Sequence, residues 1–166
     1  MAKPAGSACN LDCAYCFYLS KRVLPGGPGS GHMPDDVLER FVKDYIDSIT
    51  ADEVVFSWQG GEPTLLGLGF FEKVVALQKK HARAVQRIEN DLQTNGTLLD
   101  DDWARFIKQQ RFLVGLSIDG PREIHDHCRI TKHAEPTFDQ VFAAAKMLQK
   151  HGVRFNTLTC VHRYNA

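Results

Sequence analysis

The feature that most constrains the fold is an alternation. Four strand-like runs, Glu53 to Trp58, Arg87 to Gln93, Phe112 to Ile118 and Val153 to Val161, alternate with stretches whose apolar residues recur every three or four positions. Short runs of this kind fit strands, and a three-to-four spacing fits one buried helix face. The first helical stripe is Val37, Leu38, Phe41, Val42, Tyr45, Ile46 and Ile49, with Pro34, Asp35 and Asp36 suited to its start. Later stripes hold Phe70, Phe71, Val74, Val75 and Leu77, then Trp103, Phe106 and Ile107, then Phe138, Val141, Phe142, Ala145 and Leu148. Strands alternating with helices predict parallel βα units. Right-handed crossovers in series give an open sheet or a barrel, and in either the ligands sit at the carboxyl ends of the strands.

By that rule the residues just after each run are the candidates for ligand contact. Trp58 leads directly into Gln59-Gly60-Gly61-Glu62-Pro63, where two glycines let backbone groups come close to a ligand and Glu62 adds a carboxylate. Such a backbone can hydrogen-bond an ammonium or a ribose hydroxyl. The second run ends at Thr94-Asn95-Gly96, which fits either a tight turn or a ligand-lining loop. The third ends at Ser117-Ile118-Asp119-Gly120-Pro121, and Ile124-His125-Asp126 and Arg129 come shortly after. Ser117 lies at a strand end where its hydroxyl could face a cleft. Arg129 offers a planar fork suited to a carboxylate.

Before all of this stands a cysteine cluster, Cys9, Cys13 and Cys16, in the spacing CxxxCxxC. Soft thiolates select zinc, Cu(I) or iron–sulfur clusters over hard cations. A closed zinc site needs four ligands, usually as two close pairs, and no second CxxC exists in the chain. Three cysteines suit a 4Fe–4S cluster with one iron open to another ligand. Cys128 and Cys160 are far from the trio and from each other in sequence, and are expected to be neutral thiols. His125 and His127 receive no role. Gly- and Pro-rich 25–31 is expected to be a mobile surface loop.

Taken together, the strings Lys3-Pro4-Ala5, CNLDCAYCFY from Cys9 to Tyr18, QGGEPTLL from Gln59 to Leu66, QTNGTLL from Gln93 to Leu99 and VGLSIDGP from Val114 to Pro121 resemble the anaerobic sulfatase-maturating enzymes of the radical S-adenosylmethionine (SAM) superfamily. The resemblance runs nearly end to end and in the right order. It implies an α/β fold: a partial (βα)6 TIM-like radical SAM barrel, cut after about four to five βα units. Residues 1–166 would then be an incomplete radical SAM domain, without the remaining barrel units or a carboxyl-terminal auxiliary-cluster domain. It implies that Cys9, Cys13 and Cys16 hold a 4Fe–4S cluster whose open iron takes the amino and carboxylate groups of SAM. Tyr15, Gln59, Gly60, Gly61, Glu62, Asn95, Ser117 and Arg129 become cofactor-binding candidates, and Tyr18 matches a position that approaches a peptide substrate.

The activity implied is oxidation of a cysteine or serine in an unfolded sulfatase polypeptide to formylglycine, through a 5′-deoxyadenosyl radical. A reduced flavodoxin- or ferredoxin-like protein would donate the electron. No catalytic base is nominated among these residues; the resemblance puts it in the carboxyl-terminal region, so the chain alone is expected not to complete turnover. The alternatives are another radical SAM peptide maturase, such as one that cross-links a ribosomal peptide, or a non-catalytic iron–sulfur or zinc module.

Composition narrows the partners. Twenty Lys and Arg balance 20 Asp and Glu, which gives no broad surface for nucleic acid or anionic lipid. No run approaches the roughly 18 apolar residues that cross a bilayer, and the first residues carry no apolar leader core. An odd count of five cysteines, three of them clustered, fits a reducing compartment, so the expected location is the cytoplasm.

Overall fold

A computed structural model of the chain describes residues 1–18, 32–163 and 165–166. The first helix, α1 (Asp35–Ser48), starts after Pro34 with two acidic residues in its first turn, where the positive end of the helix dipole favours them. Its buried positions Leu38, Val42 and Ile46 repeat every four residues and cover the first strand, β1 (Glu53–Trp58). Along β1 the side chains of Val54, Phe56 and Trp58 are buried, while Glu53 and Val55 on the other face are exposed. A short 3-10 turn (Pro63–Leu66) leads into α2 (Leu68–His81), then β2 (Arg87–Thr94). Asp100 caps α3 (Asp101–Gln109) by accepting from Trp103 N, and β3 (Leu113–Ser117) comes next. Two helices, α4 (Arg122–Cys128) and α5 (Phe138–Lys150), separate β3 from β4 (Phe155–Leu158).

All strand pairs are parallel and the order is β1-β2-β3-β4. Sequential order without reversal, combined with right-handed crossovers, brings every crossover helix to the same face. The sheet is thus one arc of a barrel wall, with helices outside and the opposite face inside. The outer side holds the core: Phe71 of α2 meets Trp58, Trp103 and Phe112 edge-on, at ring separations of 6.0, 5.4 and 6.3 Å. Such pairs contribute about 0.5–1.5 kcal/mol each beyond their buried area. The inner side is polar, where Ser57 donates to Asp91 across the β1–β2 pair at 2.7 Å.

Both the alternation and the parallel pairing match the expectation from sequence, with local differences. The short helix α4 is not among the expected elements; its seven residues are too few to show a period. The ladder of β4 is shorter than the expected Val153 to Val161. Beyond Leu158 the chain still runs along β3, but through side chains: Thr159 Oγ1 donates to Ile118 O at 2.8 Å and Cys160 N to Asp119 Oδ1 at 2.9 Å. The residues before Cys9 form no strand, as expected, yet Ala2 makes one parallel bridge to Trp58, through Ala2 N to Ser57 O and Gln59 N to Ala2 O. The loop 25–31 lies outside the described residues. No helix among the described residues is long and apolar enough to cross a membrane.

Candidate functional site

The carboxyl ends of all four strands meet the cysteine loop around one cavity of about 360 Å³. Cys9, Cys13 and Cys16 line it from the loop, with Tyr15 and Tyr18 beside them. Gly60, Gly61 and Glu62 line it after β1, and Asn95 after β2. Ser117, at the end of β3, and Arg129, at the end of α4, complete the expected set. Gln59 alone among the nominated residues does not face the cavity; its backbone N–H is bonded to Ala2 O at 3.0 Å. Cys160, distant from the trio in sequence, lines the same cavity.

The glycines have a reason that sequence could not reveal. A β-carbon on Gly61 would lie 1.9 Å from Ala8 O, and one on Gly60, whose φ is +126°, would lie 2.8 Å from Gly6 O. Gly61 N donates to Gly6 O at 2.9 Å and Glu62 N to Ala8 O at 2.7 Å. The close approach is therefore first of all to the chain's own segment leading into Cys9. With these N–H groups engaged, the string offers a ligand its carbonyl oxygens, which suit an ammonium or hydroxyl donor.

Glu62 is almost fully buried, and its carboxylate is engaged by the chain itself. Oε1 accepts from Thr64 N (3.1 Å), Thr64 Oγ1 (2.6 Å) and Thr94 Oγ1 (2.7 Å), and Oε2 accepts from Asn95 N (2.7 Å). Burial pushes this carboxyl above the ordinary range, and the four donors pull it back. Its part is to clamp the end of β1 to the end of β2. Asn95 then reaches the cysteine loop: Nδ2 donates to Asn10 Oδ1 at 2.9 Å, and Oδ1 accepts from Thr97 N and Thr97 Oγ1. Asn10 Nδ2 closes the ring onto Thr97 Oγ1 at 2.8 Å. The loop after β2 is thus both the turn and the cavity wall that its sequence allowed.

On the far side, α4 holds the loop. Ala14 N donates to Cys128 O and Asp12 N to Ile130 O, both at 2.9 Å. The Cys128 thiol is buried, which pushes it up, and lies 3.6 Å from His162 Nε2. Next to it is an ion pair that sequence reading does not find. Arg129 Nε lies 2.8 Å from Asp119 Oδ2, and Arg129 Nη2 lies 3.2 Å from Oδ1. Tyr15 Oη donates to the same Oδ2, and the Arg129 guanidinium sits 5.5 Å from the Tyr15 ring centroid. Burial opposes ionisation of Asp119, but the bonds from Arg129, Tyr15 and Cys160 N outweigh it and hold the carboxyl below its usual range. Burial and the bond to Asp119 push the Tyr15 phenol up.

His125 supports this pair from behind and is fully buried. Nδ1 accepts from Asp119 N at 3.3 Å, so Nε2 carries the proton toward Thr137 Oγ1 at 3.1 Å, while Thr137 Oγ1 donates to Arg129 O at 2.7 Å. Burial, reinforced by the nearby Arg129 charge, lowers the His125 pKa and keeps the ring neutral. The signal for these roles is the string Ser117 to Arg129 itself, but nothing in one sequence says which of its polar residues face each other.

The donor set fits an iron–sulfur cluster better than one ion. Among the described residues no three His, Cys, Asp or Glu side chains converge on a single metal ion. The three thiols line one cavity and influence each other: burial pushes Cys13 up to about 11, Arg129 pulls it back, and Cys9 and Cys16 add to the rise. Sulfurs spaced around a cavity suit a multi-iron centre bound one thiolate per iron. Donors also point at Cys9 Sγ, from Leu11 N at 3.4 Å and Asn95 Nδ2 at 3.8 Å, as iron-bound sulfur accepts.

Comparison with known proteins agrees with this donor set. The profile of the Radical SAM superfamily matches residues 4–166. A serine-type anaerobic sulfatase-maturating enzyme of Bacteroides thetaiotaomicron is 45% identical over 166 residues, covering 100% of this chain and 40% of that protein. A cysteine-type anaerobic sulfatase-maturating enzyme of Clostridium perfringens is 47% identical over 161 residues, covering 97% of this chain and 43% of that protein. The solved structure of native anSMEcpe with bound AdoMet and Cp18Cys peptide superposes with a TM-score of 0.85 at 47% identity, over 95% of this chain and 41% of that one. The chain therefore spans about 40% of the length of the curated relatives it matches.

Proposed function

We propose a function on the premise that this chain belongs to the radical SAM superfamily: it takes part in oxidising a cysteine or serine of a sulfatase polypeptide to formylglycine. The family's cofactors are a 4Fe–4S cluster and SAM. When bound, they supply one-electron reductive cleavage of a SAM carbon–sulfur bond and abstraction of a hydrogen atom from a substrate β-carbon. The observation that carries the reading is the meeting of Cys9, Cys13, Cys16, Gly60, Gly61, Ser117 and Arg129 around one cavity at the strand ends. The relatives' names supply the sulfatase, and the identities of 45% and 47% to serine-type and cysteine-type enzymes leave both target residues within the proposal.

In this reading each residue of the chain has a task. Cys9, Cys13 and Cys16 ligate the cluster as thiolates, a state that metal binding favours over the raised thiol pKa at Cys13. The carbonyls of Gly60 and Gly61 receive the SAM ammonium. Ser117 and the Arg129 fork receive its carboxylate. Glu62 and Asn95 hold the loops that shape the pocket, and Tyr15 walls it beside Arg129. Tyr18, with the Lys3 ammonium 5.1 Å from its ring centroid, faces an incoming peptide. A reduced flavodoxin- or ferredoxin-like protein donates the first electron, and the reaction runs in the cytoplasm, where thiols stay reduced. Oxidation removes two electrons and two protons from the target residue; serine is then the aldehyde, while cysteine becomes a thioaldehyde that water hydrolyses to the aldehyde with release of hydrogen sulfide. One electron and one proton leave as the abstracted hydrogen atom, and the others need an acceptor and a base outside the set named here.

The test is anaerobic. Reconstituted protein should hold about four irons per chain, one 4Fe–4S centre, and release 5′-deoxyadenosine from SAM when reduced, whereas the mass change of a sulfatase-derived peptide to its formylglycine form should also require the second acceptor and the base. Cluster-loaded protein that releases no 5′-deoxyadenosine would remove the proposal.

A further inference from the structure

We propose that Asp119 is the positioning residue for Arg129: it fixes the guanidinium so that its unengaged edge meets the carboxylate of SAM. This rests on the reading above, in which Arg129 receives that carboxylate. A guanidinium has five N–H donors in one plane. Asp119 takes two of them along one edge, Nε at 2.8 Å and Nη2 at 3.2 Å. Three remain, the two on Nη1 and the second on Nη2, and they form the other fork. Arg129 lines the cavity and makes no further hydrogen bond among the described residues. One edge is therefore anchored and the opposite edge is available to a planar anion.

Asp119 is well built to be an anchor. It is 1% exposed, and four parts of the chain converge on it. Its backbone N–H is bonded to His125 Nδ1, its Oδ1 accepts from Cys160 N beyond β4, and its Oδ2 accepts from Tyr15 in the cysteine loop. Tyr15 stands between Cys13 and Cys16, so Asp119 ties the guanidinium directly to the loop that carries the proposed cluster ligands. A ligand whose carboxylate must meet both iron and Arg129 requires those two to be fixed relative to each other. His125 and Thr137 brace the same geometry from outside, through the Asp119 amide and the Arg129 carbonyl.

Charge and orientation predict opposite results here, which makes the idea testable. Asp119 neutralises Arg129, so removing its charge would strengthen simple attraction between the cavity and an anion. If orientation dominates, the same change weakens binding. Anaerobic calorimetry on cluster-loaded protein would compare SAM with decarboxylated SAM, which keeps the adenosine, sulfonium and amine and lacks only the carboxylate. Asp119→Asn should weaken SAM about tenfold or more while changing decarboxylated SAM less than about threefold, since charge-assisted bidentate bonds depend on geometry. Asp119→Glu keeps the charge but displaces the carboxylate by one methylene, and should give the same selective loss. It also carries the comparison if Asp119→Asn does not fold.

SAM affinity that is unchanged or higher in Asp119→Asn overturns the proposal, as does equal weakening of both ligands in both variants, the mark of plain structural damage. Arg129→Ala separates the layers. Selective loss of SAM in Arg129→Ala without such loss in the Asp119 variants overturns the positioning role alone. No selective loss in Arg129→Ala removes the carboxylate assignment and the proposal with it.

Discussion

Replacing Gly61 by alanine adds a single methyl group, and the structure says where it goes. The new β-carbon would lie 1.9 Å from Ala8 O, 2.6 Å from Ala8 C and 2.7 Å from Ser7 C. These are backbone atoms, so no rotamer change relieves the contact. Segment 6–8 must move away from the end of β1 by more than an ångström. That movement breaks Gly61 N to Gly6 O and Glu62 N to Ala8 O. Two backbone bonds contribute about 1 kcal/mol each, and forcing a methyl into a packed contact costs about 1–3 kcal/mol more. A total of about 3–5 kcal/mol lowers the melting temperature by roughly 6–20 °C in a protein of this size. Because Ala8 precedes Cys9, the first of the proposed cluster ligands, the damage should reach the cluster and not SAM alone. Iron content and visible absorption after anaerobic reconstitution, together with a thermal melt, would report it. Gly69→Ala serves as the control: nothing lies within 4 Å of its built β-carbon, and it sits in α2, where alanine is the better helix former. Gly61→Ala protein with full iron content and an unchanged melting point would refute the docking role given to this glycine.

Cys9→Ala, Cys13→Ala and Cys16→Ala should each abolish the 4Fe–4S spectrum, whereas Cys128→Ala and Cys160→Ala should retain it; iron loss with either distant cysteine as complete as with the trio would break the ligand assignment. Glu62→Ala leaves Asn95 N, Thr64 N and two threonine hydroxyls without their shared acceptor, and should destabilise the chain by about 3 kcal/mol or more in urea titrations, at 1–3 kcal/mol per orphaned buried group before relaxation. One pH-dependent contribution comes from His125, while the raised carboxyl of Glu62 acts in the opposite sense above its ordinary range. The folded pKa of His125 is lowered, so below the ordinary value near 6.5 the unfolded chain takes up a proton that the folded chain refuses. This contribution to stability is fully present above pH 6.5 and falls with acidification, by at most about 1.4 kcal/mol per pH unit for this one group. The difference between melting curves of metal-free wild type and His125→Gln from pH 5 to 7.5 should show that slope, because the opposing Glu62 contribution is common to both.

Much of the fold is readable from sequence because its signals are local. The stripe Leu38, Val42, Ile46 and the burial of Val54, Phe56 and Trp58 are periodic in the chain and need no partner to be recognised. The helix α4 escapes notice because seven residues hold too few turns to show a period, and because His125 and Cys128, its buried residues, are not typical core formers. The gathering of Cys9, Cys13, Cys16, Ser117 and Arg129 is expected from the strand-end rule and from resemblance. The hidden part is pairwise and long-range. Asp119 meets Tyr15 across 104 residues, and Cys160 N across 41. Neither separation leaves a mark on composition or spacing.

The same distinction explains why the motif residues do different work from what their chemistry first suggests. A diglycine and a glutamate after a strand read naturally as ligand-binding groups, since glycine exposes backbone and glutamate carries charge. Here the diglycine admits the chain's own segment 6–8, and the glutamate accepts four hydrogen bonds from its own neighbours. Three short loops and the cysteine segment are thereby joined before any ligand arrives: Glu62 links β1 to β2, Asn95 and Asn10 link β2 to the cysteines, and Asp119 links β3, α4 and the residues beyond β4 to the same segment. Loops held only by their strand stems would lose conformational entropy when a cofactor bound. Cross-linking them through buried carboxylates moves that loss into folding, so the cavity stands ready-shaped. The cost is rigidity of another kind. A single methyl at Gly61 or a single charge at Asp119 is felt at the cysteines, because both residues bond directly to the segment that carries them.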